Sequence, residues 1–486
     1  MLAAAAVATV LIALATTRAD VDLWGHIRFG TDIIESGRID DVDPYSFTSD
    51  RRWVNHEWLA EVLFATAWRA AGGAGLIAVK LACALGAIAF LHLRLRSAGV
   101  PAEVEVMLLG LALVGMLPRI THVRPQLFSV LLFGALIFIL ASADRGRRIR
   151  LAWTIPLLAL WANLHGGWIV GLATAGLWTL GDAWQHRAEG WRAFSVAGFA
   201  VAAAFATLVN PYGAGLWAFL FETVRFGREA ISEWGPVWGN PAVFLVWAMF
   251  TGLTVGAFVR GDRPRNPATL IIPAMWGLAA LRVSRLDAFF ALSVVGFLGP
   301  HLVWVFQTRR SDRPSFVSIR LRAVAIGLVV AALLLVPWAR QAFTCVDVHA
   351  PWWPEPEAIA FMQERRLSGR VVTFFRWGEY AIWHLPPSLK VSMDGRRETV
   401  YSDATISGHL RLYQGHPDGL AYLDTIQSDY VWLPRQLTVS AVLRTRGWVP
   451  IFQGPHSVVL ASKAAADGTV LATSTQKPEC RCFPGP

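Results

Sequence analysis

The chain has 486 residues, 55% of them hydrophobic and only 16% charged, with a mean hydropathy of +0.44; roughly a quarter charged residues would be normal for a soluble globular protein, so that class is excluded. The net charge of +10 does not call for a nucleic-acid partner, because Arg residues cluster in short loops between apolar runs, as in DRGRRIR (144–150), RGDRPR (260–265) and RRSDR (309–313). That clustering is the positive-inside pattern of a polytopic membrane protein, and the 23 Trp and 27 Phe suit two membrane interfaces.

Taken in chain order, apolar runs approach membrane length at 1–17, 75–93, 103–117, 126–142, 151–164, 167–181, 193–209, 241–259, 268–281, 286–306 and 323–338. They predict about eleven spans in a domain covering 1–339. The opening run lacks the basic flank of a secretory signal and is followed by many others, so it reads as an uncleaved first span. With the N-terminus inside, the inner loops carry sixteen Lys and Arg and the short outer loops six. This bias puts the long first loop (18–74) and the polar segment from about 340 to 486 outside; the membrane expected is the inner (cytoplasmic) one. Within that loop, WVNHEWLAEVLFATAWRA (53–70) reads as an amphipathic helix on the outer interface, its Glu57, Glu61 and Arg69 lying away from the apolar stripe.

After about residue 340 the character changes. VVTFF (371–375), LKVSM (389–393), DYVWL (429–433) and HSVVLAS (456–462) are short strand-like runs, with a helical PEPEAIAFMQERR (354–366) before them. They predict a small extracytoplasmic α/β domain over 340–465, followed by a disordered tail, 466–486. Cys345, Cys480 and Cys482 lie in this polar part, where a bridge is possible in an oxidising compartment but its pairing is open.

The residues suited to chemistry gather on the outer side. Asp20 and Asp22 stand one residue apart at the mouth of the first span, with His26 just beyond. Arg119, His122 and Arg124 lie in PRITHVRPQ (118–126), Asn163 and His165 in WANLHGGW (161–168), and Arg282, Arg285 and Asp287 in RVSRLD (282–287). Ionisable groups at membrane depth are costly and face a cavity or each other; for each arginine the plain alternative is snorkelling to the interface. Acids facing a basic cluster fit transfer from a lipid-linked phosphate donor. The arginines, with His122, would hold the phosphate, and a carboxylate would deprotonate or orient an acceptor hydroxyl. Alternatively, Asp20 and Asp22 hold a divalent cation, Mg2+ or Mn2+, that compensates the leaving charge. His56 and Glu57 in VNHEW are read as the polar face of the interfacial helix, with a metal or substrate contact as the alternative. In the C-terminal domain, Trp377, Glu379, Asp394, Arg396 and Arg397 form a polar-aromatic concentration, open either to acceptor contact or to a structural Arg–Asp pair.

A spanning helix ending in a D-x-D-like stretch, followed by a long outer loop with interfacial helices, resembles the GT-C class of membrane glycosyltransferases, which includes protein mannosyltransferases, aminoarabinose transferases and oligosaccharyltransferases. The run DVDLWGHIRFG…GRIDDVDPYSFTSDRRWVNHEWL (20–59) resembles a bacterial group of this architecture, as do NLHGG, NPYG (210–213), SEW (232–234), WGEY (377–380) and DGR (394–396). The resemblance implies an outward-facing site, a polyprenyl-phosphate-linked sugar donor, a glycan, lipid or protein acceptor, and an inverting reaction. It leaves open whether Asp20 or Asp22 matches the catalytic acid; Asp22 is the expected one because it directly precedes LWGHI, with Asp20 an orienter or cation ligand, and His26, His56, Glu57, Asn163 and His165 are substrate-binding candidates. A transporter or flippase of a lipid-linked saccharide, or a non-catalytic assembly protein on the same scaffold, is the rival reading.

Overall fold

The structure, a computed structural model, describes residues 17–224, 232–260, 266–306, 342–348, 353–466, 470–475 and 481–485. It divides into two compact units. One holds Met1–Thr17, Ile77–Leu220 and Gly227–Thr344; the other joins Arg18–Leu76 and Phe221–Phe226 to Cys345–Pro486. The expected spans 1–17 (apart from Thr17) and 323–338, most of the basic loops 260–265 and 309–313, and Cys480 lie outside the described residues.

The first unit is helical. Four described helical segments are long and apolar enough to cross a membrane: Trp58–Ser97, which the two units share, Gln126–Ala143, Pro241–Arg260 and Ser284–Val305. Phe194–Ala206 and Ala268–Arg282 are shorter apolar helices. The apolar window of Pro241–Arg260 is only 11% buried, and it exposes Leu245, Val255, Phe258 and Val259. So much exposed hydrocarbon on one helix is stable only against lipid. The chain is a multi-pass membrane protein. The expected span at 151–164 differs from this pattern. It is a 3₁₀ turn, Arg148–Trp153, running directly into an 11-residue helix, Thr154–Leu164.

The second unit is where the structure departs furthest from the expected division at residue 340. The first loop does not belong with the spans; it is built into the C-terminal domain. Its helix α1 (Leu23–Ser36) buries Leu23, Trp24, His26, Ile27 and Phe29, and ends at Gly37, whose φ of 66° lets its N–H cap Ile33 O. Helix α2 (Trp58–Ser97) merges the expected helix 53–70 with the expected span 75–93, but breaks at Ala71–Gly72, where the backbone is not helical. Glu61 is not on a solvent face as the amphipathic pattern suggested: it is 4% exposed.

The sheet of this unit has six strands in the order β3-β2-β4-β6-β5-β7. They are β2 (Gly369–Thr373), β3 (Leu389–Val391), β4 (Tyr430–Pro434), β5 (Val449–Gln453), β6 (Ser457–Ala461) and β7 (Ala472–Thr473). β2 runs parallel to β3 and β4, whereas β6 is antiparallel to β4 and β5. The apolar runs at 371–375, 389–393, 429–433 and 456–462 became strands; β5 was not anticipated. Its burial is mixed, so it carries no clean apolar signal. Val372, Val431, Leu433, Val458 and Leu460 from the sheet pack with Leu412, Leu423 and Leu443 into one core.

Hydrogen bonds tie the first loop to this sheet. Val391 N–H donates to Tyr45 O at 3.2 Å, and Phe47 N–H donates to Val391 O at 3.0 Å, so residues 45–47 extend the β3 edge. Ala19 N–H donates to Asp347 O in β1 (Asp347–Val348). β1 in turn pairs with β8 (Arg481–Cys482), where Cys345 and Cys482 form a disulfide. Residues 481–485 of the expected disordered tail are therefore built in; Phe483 is 4% exposed against Trp24 and Trp68.

Close approach of α1 to α2 depends on Gly30, where an added Cβ would collide with the Glu61 carbonyl. Backbone cannot yield as a flexible side chain can. Gly30→Ala should cost about 1–3 kcal/mol by overpacking and lower the unfolding midpoint of the detergent-solubilised protein. Gly110→Ala, on an open helix face, should leave that midpoint unchanged or slightly raised.

Candidate active site

The polar interior of the second unit is assembled from the first loop and the C-terminal domain. Asp22 is the N-cap of α1, yet its side chain makes no capping bond to that helix. Its neighbour Asp20, 6% exposed, turns back so that its Oδ1 accepts the Asp22 N–H at 3.2 Å. The Asp22 carboxylate lies instead against Gly395, where an added Cβ would collide with Asp22 Oδ1 and stand 2.8 Å from Glu379 Oε1. Two carboxyl groups thus meet over one glycine that has no side chain to separate them.

Glu379 comes from helix α13 (Gly378–His384), counted after α3–α10 (Ala102–Ile120, Gln126–Ala143, Thr154–Leu164, Trp168–Gln185, Gly190–Ala206, Gly215–Val224, Pro241–Arg260 and Ala268–Arg282), α11 (Asp287–Ser293) and α12 (Pro356–Glu364). It is buried, and its Oε2 accepts the Gly25 N–H in the first turn of α1 at 3.1 Å. Burial, and then the charges of Asp22 and Asp394, push its pKa well above the usual carboxyl range.

Beside this pair, Arg396 is fixed by two acids. It donates to both oxygens of Asp43 at 2.8 and 2.9 Å, and to Asp394 through Nε at 2.9 Å and Nη2 at 2.7 Å. Its guanidinium lies 4.8 Å from the ring centres of Phe29 and Trp53 and 5.2 Å from that of Tyr45. Burial opposes its charge, but Asp394 and Asp43 outweigh it and hold Arg396 firmly protonated. Asp394 also accepts from Tyr401 Oη at 2.8 Å and, despite burial, stays below the usual carboxylate range because of Arg396. Of the two openings left for WGEY and DGR, the structural Arg–Asp pair is the one found for Arg396.

His26 lies on the same helix. Its Nδ1 is 3.4 Å from Glu61 Oε1, and Asn55 Nδ2 donates to Glu61 Oε2 at 2.5 Å. Burial would lower the His26 pKa, but the Glu61 hydrogen bond with the charges of Glu57, Glu61 and Asp22 leaves it raised. Sequence periodicity missed Glu61, and nothing local marks it as buried. His56 and Glu57 face one another, Nε2 to Oε1 at 3.6 Å. Among the described residues, no three His, Cys, Asp or Glu side chains are grouped so as to hold a metal ion.

In the helical unit, several expected substrate ligands have partners within the chain. Arg119, 6% exposed, grips both Asp287 oxygens at 2.9 and 3.2 Å and Ser284 O at 2.9 Å, with Glu233 Oε2 3.4 Å from Nη1. An arginine has five N–H donors; with those groups engaged, little is left to clasp a phosphate. Arg124 donates to both oxygens of Glu233 at 3.0 and 3.1 Å, and Arg285 lies over Trp234 at 5.6 Å. The SEW segment is the acidic counterpart of these arginines. His165 Nδ1 accepts from Gly167 N–H at 2.9 Å and lies 2.7 Å from Ser129 Oγ, closing the NLHGG turn. Asn163 Nδ2 donates to Ala159 O and Val209 O at 2.8 and 2.7 Å, a bond between segments of one helical unit. His122 is half-buried and Arg282 is exposed.

The arginine assignment has a measurable consequence. Arg119→Gln would strand the buried Asp287 carboxylate, at a cost of about 3–5 kcal/mol, so it should lower the unfolding midpoint and the yield. Arg119→Met combined with Asp287→Leu should recover most of the loss. A phosphate ligand would behave oppositely, with Arg119→Gln folding normally.

No protein-family model and no curated protein sequence matches the chain. Solved structures do. The apo form of ArnT from Cupriavidus metallidurans superposes with a TM-score of 0.58 at 12% identity, covering 95% of this chain and 98% of that one. The oligosaccharyltransferase AglB of Archaeoglobus fulgidus, in complex with an inhibitory peptide and a dolichol-phosphate, gives 0.52 at 12% identity over 85% of this chain. The mycobacterial arabinofuranosyltransferase AftD gives 0.52 at 14% identity over 94% of it. This chain spans 65% of that oligosaccharyltransferase and 41% of the arabinofuranosyltransferase. Two acidic segments far apart in sequence, joined in one unit, accompany a helical unit whose topology is theirs: the chain has the fold of the GT-C class of membrane glycosyltransferases.

Proposed function

We propose that this protein is a glycosyltransferase that moves a sugar, with inversion, from a polyprenyl-phosphate-linked donor to an extracytoplasmic glycan, lipid or protein acceptor. The observation that carries this reading is Asp22: in a GT-C fold, its carboxylate stands at the start of α1 without capping that helix, held against Gly395. In the reaction, Asp22 accepts the proton of the acceptor hydroxyl as that oxygen attacks the anomeric carbon. The bond from that carbon to the phosphate oxygen breaks, and its electron pair leaves with the lipid phosphate. Asp20 orients Asp22 through the backbone.

The polyprenyl donor is read from the dolichol-phosphate in the AglB complex. The extracytoplasmic placement of the second unit is supported by the Arg bias of the loops and by the Cys345–Cys482 disulfide, a bond that persists in oxidising compartments. On this reading the chain crosses the inner membrane about eleven times, with its N-terminus inside.

Asp22→Asn keeps shape and volume but does not take up a proton at neutral pH. Glycosyl transfer measured with a polyprenyl-phosphate-sugar should fall at least a hundredfold, within the usual range for acid–base catalysis, while donor binding survives. Full activity in Asp22→Asn would retire the catalytic role and favour a transporter or scaffold. A reporter active only outside the cytoplasm should be active when fused after Arg340 and silent after Arg148; the reverse would overturn the orientation.

A further inference from the structure

We infer that Glu379 is a positioning residue that acts as a neutral acid: its carboxyl keeps its proton and offers it to Asp22, fixing the carboxylate that the reaction uses. This rests on the reading of Asp22 given above. Three geometric facts support it. Glu379 is 3% exposed and enters the site from α13, far from Asp22 in sequence. One of its oxygens is occupied by the Gly25 N–H. The other meets the same Gly395 position as Asp22 Oδ1. Two ionised carboxylates at such a place would repel each other, and Glu379 could not move away without losing its burial. A shared proton turns that repulsion into a hydrogen bond, as in other carboxyl pairs that cannot both ionise.

The charged surroundings favour the neutral form at Glu379 rather than at Asp22. Glu379 faces Asp22, Asp394 and Glu61, and the cation nearby, Arg396, is already gripped by Asp43 and Asp394. His26 faces the Asp22 and Glu61 end of the cluster. Asp22, at the helix N-terminus, lies where a negative charge is stabilised by the helix dipole. Glu379 therefore supplies a donor on the Gly395 side of Asp22.

Glu379→Gln preserves a donor toward Asp22 and an acceptor for Gly25, but has no proton to lose; Glu379→Ala removes both. With a polyprenyl-phosphate-sugar as donor, the alanine variant should lose roughly tenfold to a hundredfold in kcat, the worth of one hydrogen bond to a charge, with KM for the donor unchanged. The glutamine variant should keep kcat within about threefold and lose the alkaline limb of the pH–rate profile that Glu379 ionisation contributes. A second reading needs no activity. Infrared difference spectra at neutral pH should show a protonated-carboxyl C=O band in the wild type that is missing from Glu379→Gln. A glutamine variant as damaged as the alanine one, or the absence of that band, overturns the inference. An inactive wild type that nonetheless shows the band would refute the proposed transfer reaction and leave the protonated Glu379 standing.

Discussion

The second unit is organised around one buried ion cluster. Arg396 sits between Asp43 from the first loop and Asp394 from the C-terminal domain, under three aromatic rings. Taking two carboxylates and a guanidinium out of water is expensive, and only a complete set of hydrogen bonds recovers it. Removing any one member strands the others, so the contact is satisfied only when residues 43 and 394–396 are together. That condition dictates the rest: the strand-like extension of residues 45–47 along β3, the packing of α1 against α13, and the meeting of Asp22 with Glu379 over Gly395.

The arginines of the helical unit obey the same rule with a different result. Arg119 and Arg124 looked like a phosphate clamp because cations near a membrane must find anions. They found them within the chain, in Asp287 and Glu233. A buried charge with a good internal partner is structural, and its energetic footprint is a penalty on removal rather than an affinity for ligand. The same holds for His165, whose ring nitrogen takes up the turn N–H of Gly167.

At the candidate site the opposite economy applies. Asp22 does not spend its carboxylate on the nearest backbone donors, and Glu379 is driven toward its neutral form by burial and by Asp22. Such arrangements lower stability locally and are kept where chemistry needs a poised group. The C-terminal domain, on this view, is not a cover added to an active site. It supplies Glu379, Asp394, Arg396 and Tyr401 to the site's polar groups.

The sequence by itself determined the membrane character, the apolar helices and four strands of the six-stranded sheet, because each follows from local composition and from periods of two or 3.6 residues. It also singled out WGEY and DGR, though it left their partners open. Only the tertiary structure decided that the first loop folds with the C-terminal domain, that Glu61 points inward to His26 and Asn55, and that Asp22 meets Glu379 across more than 350 residues of chain. The physical reason is that charge pairing carries no period: an acid's partner is whichever group the completed fold places within about 3 Å of it, and sequence spacing has no term for that distance.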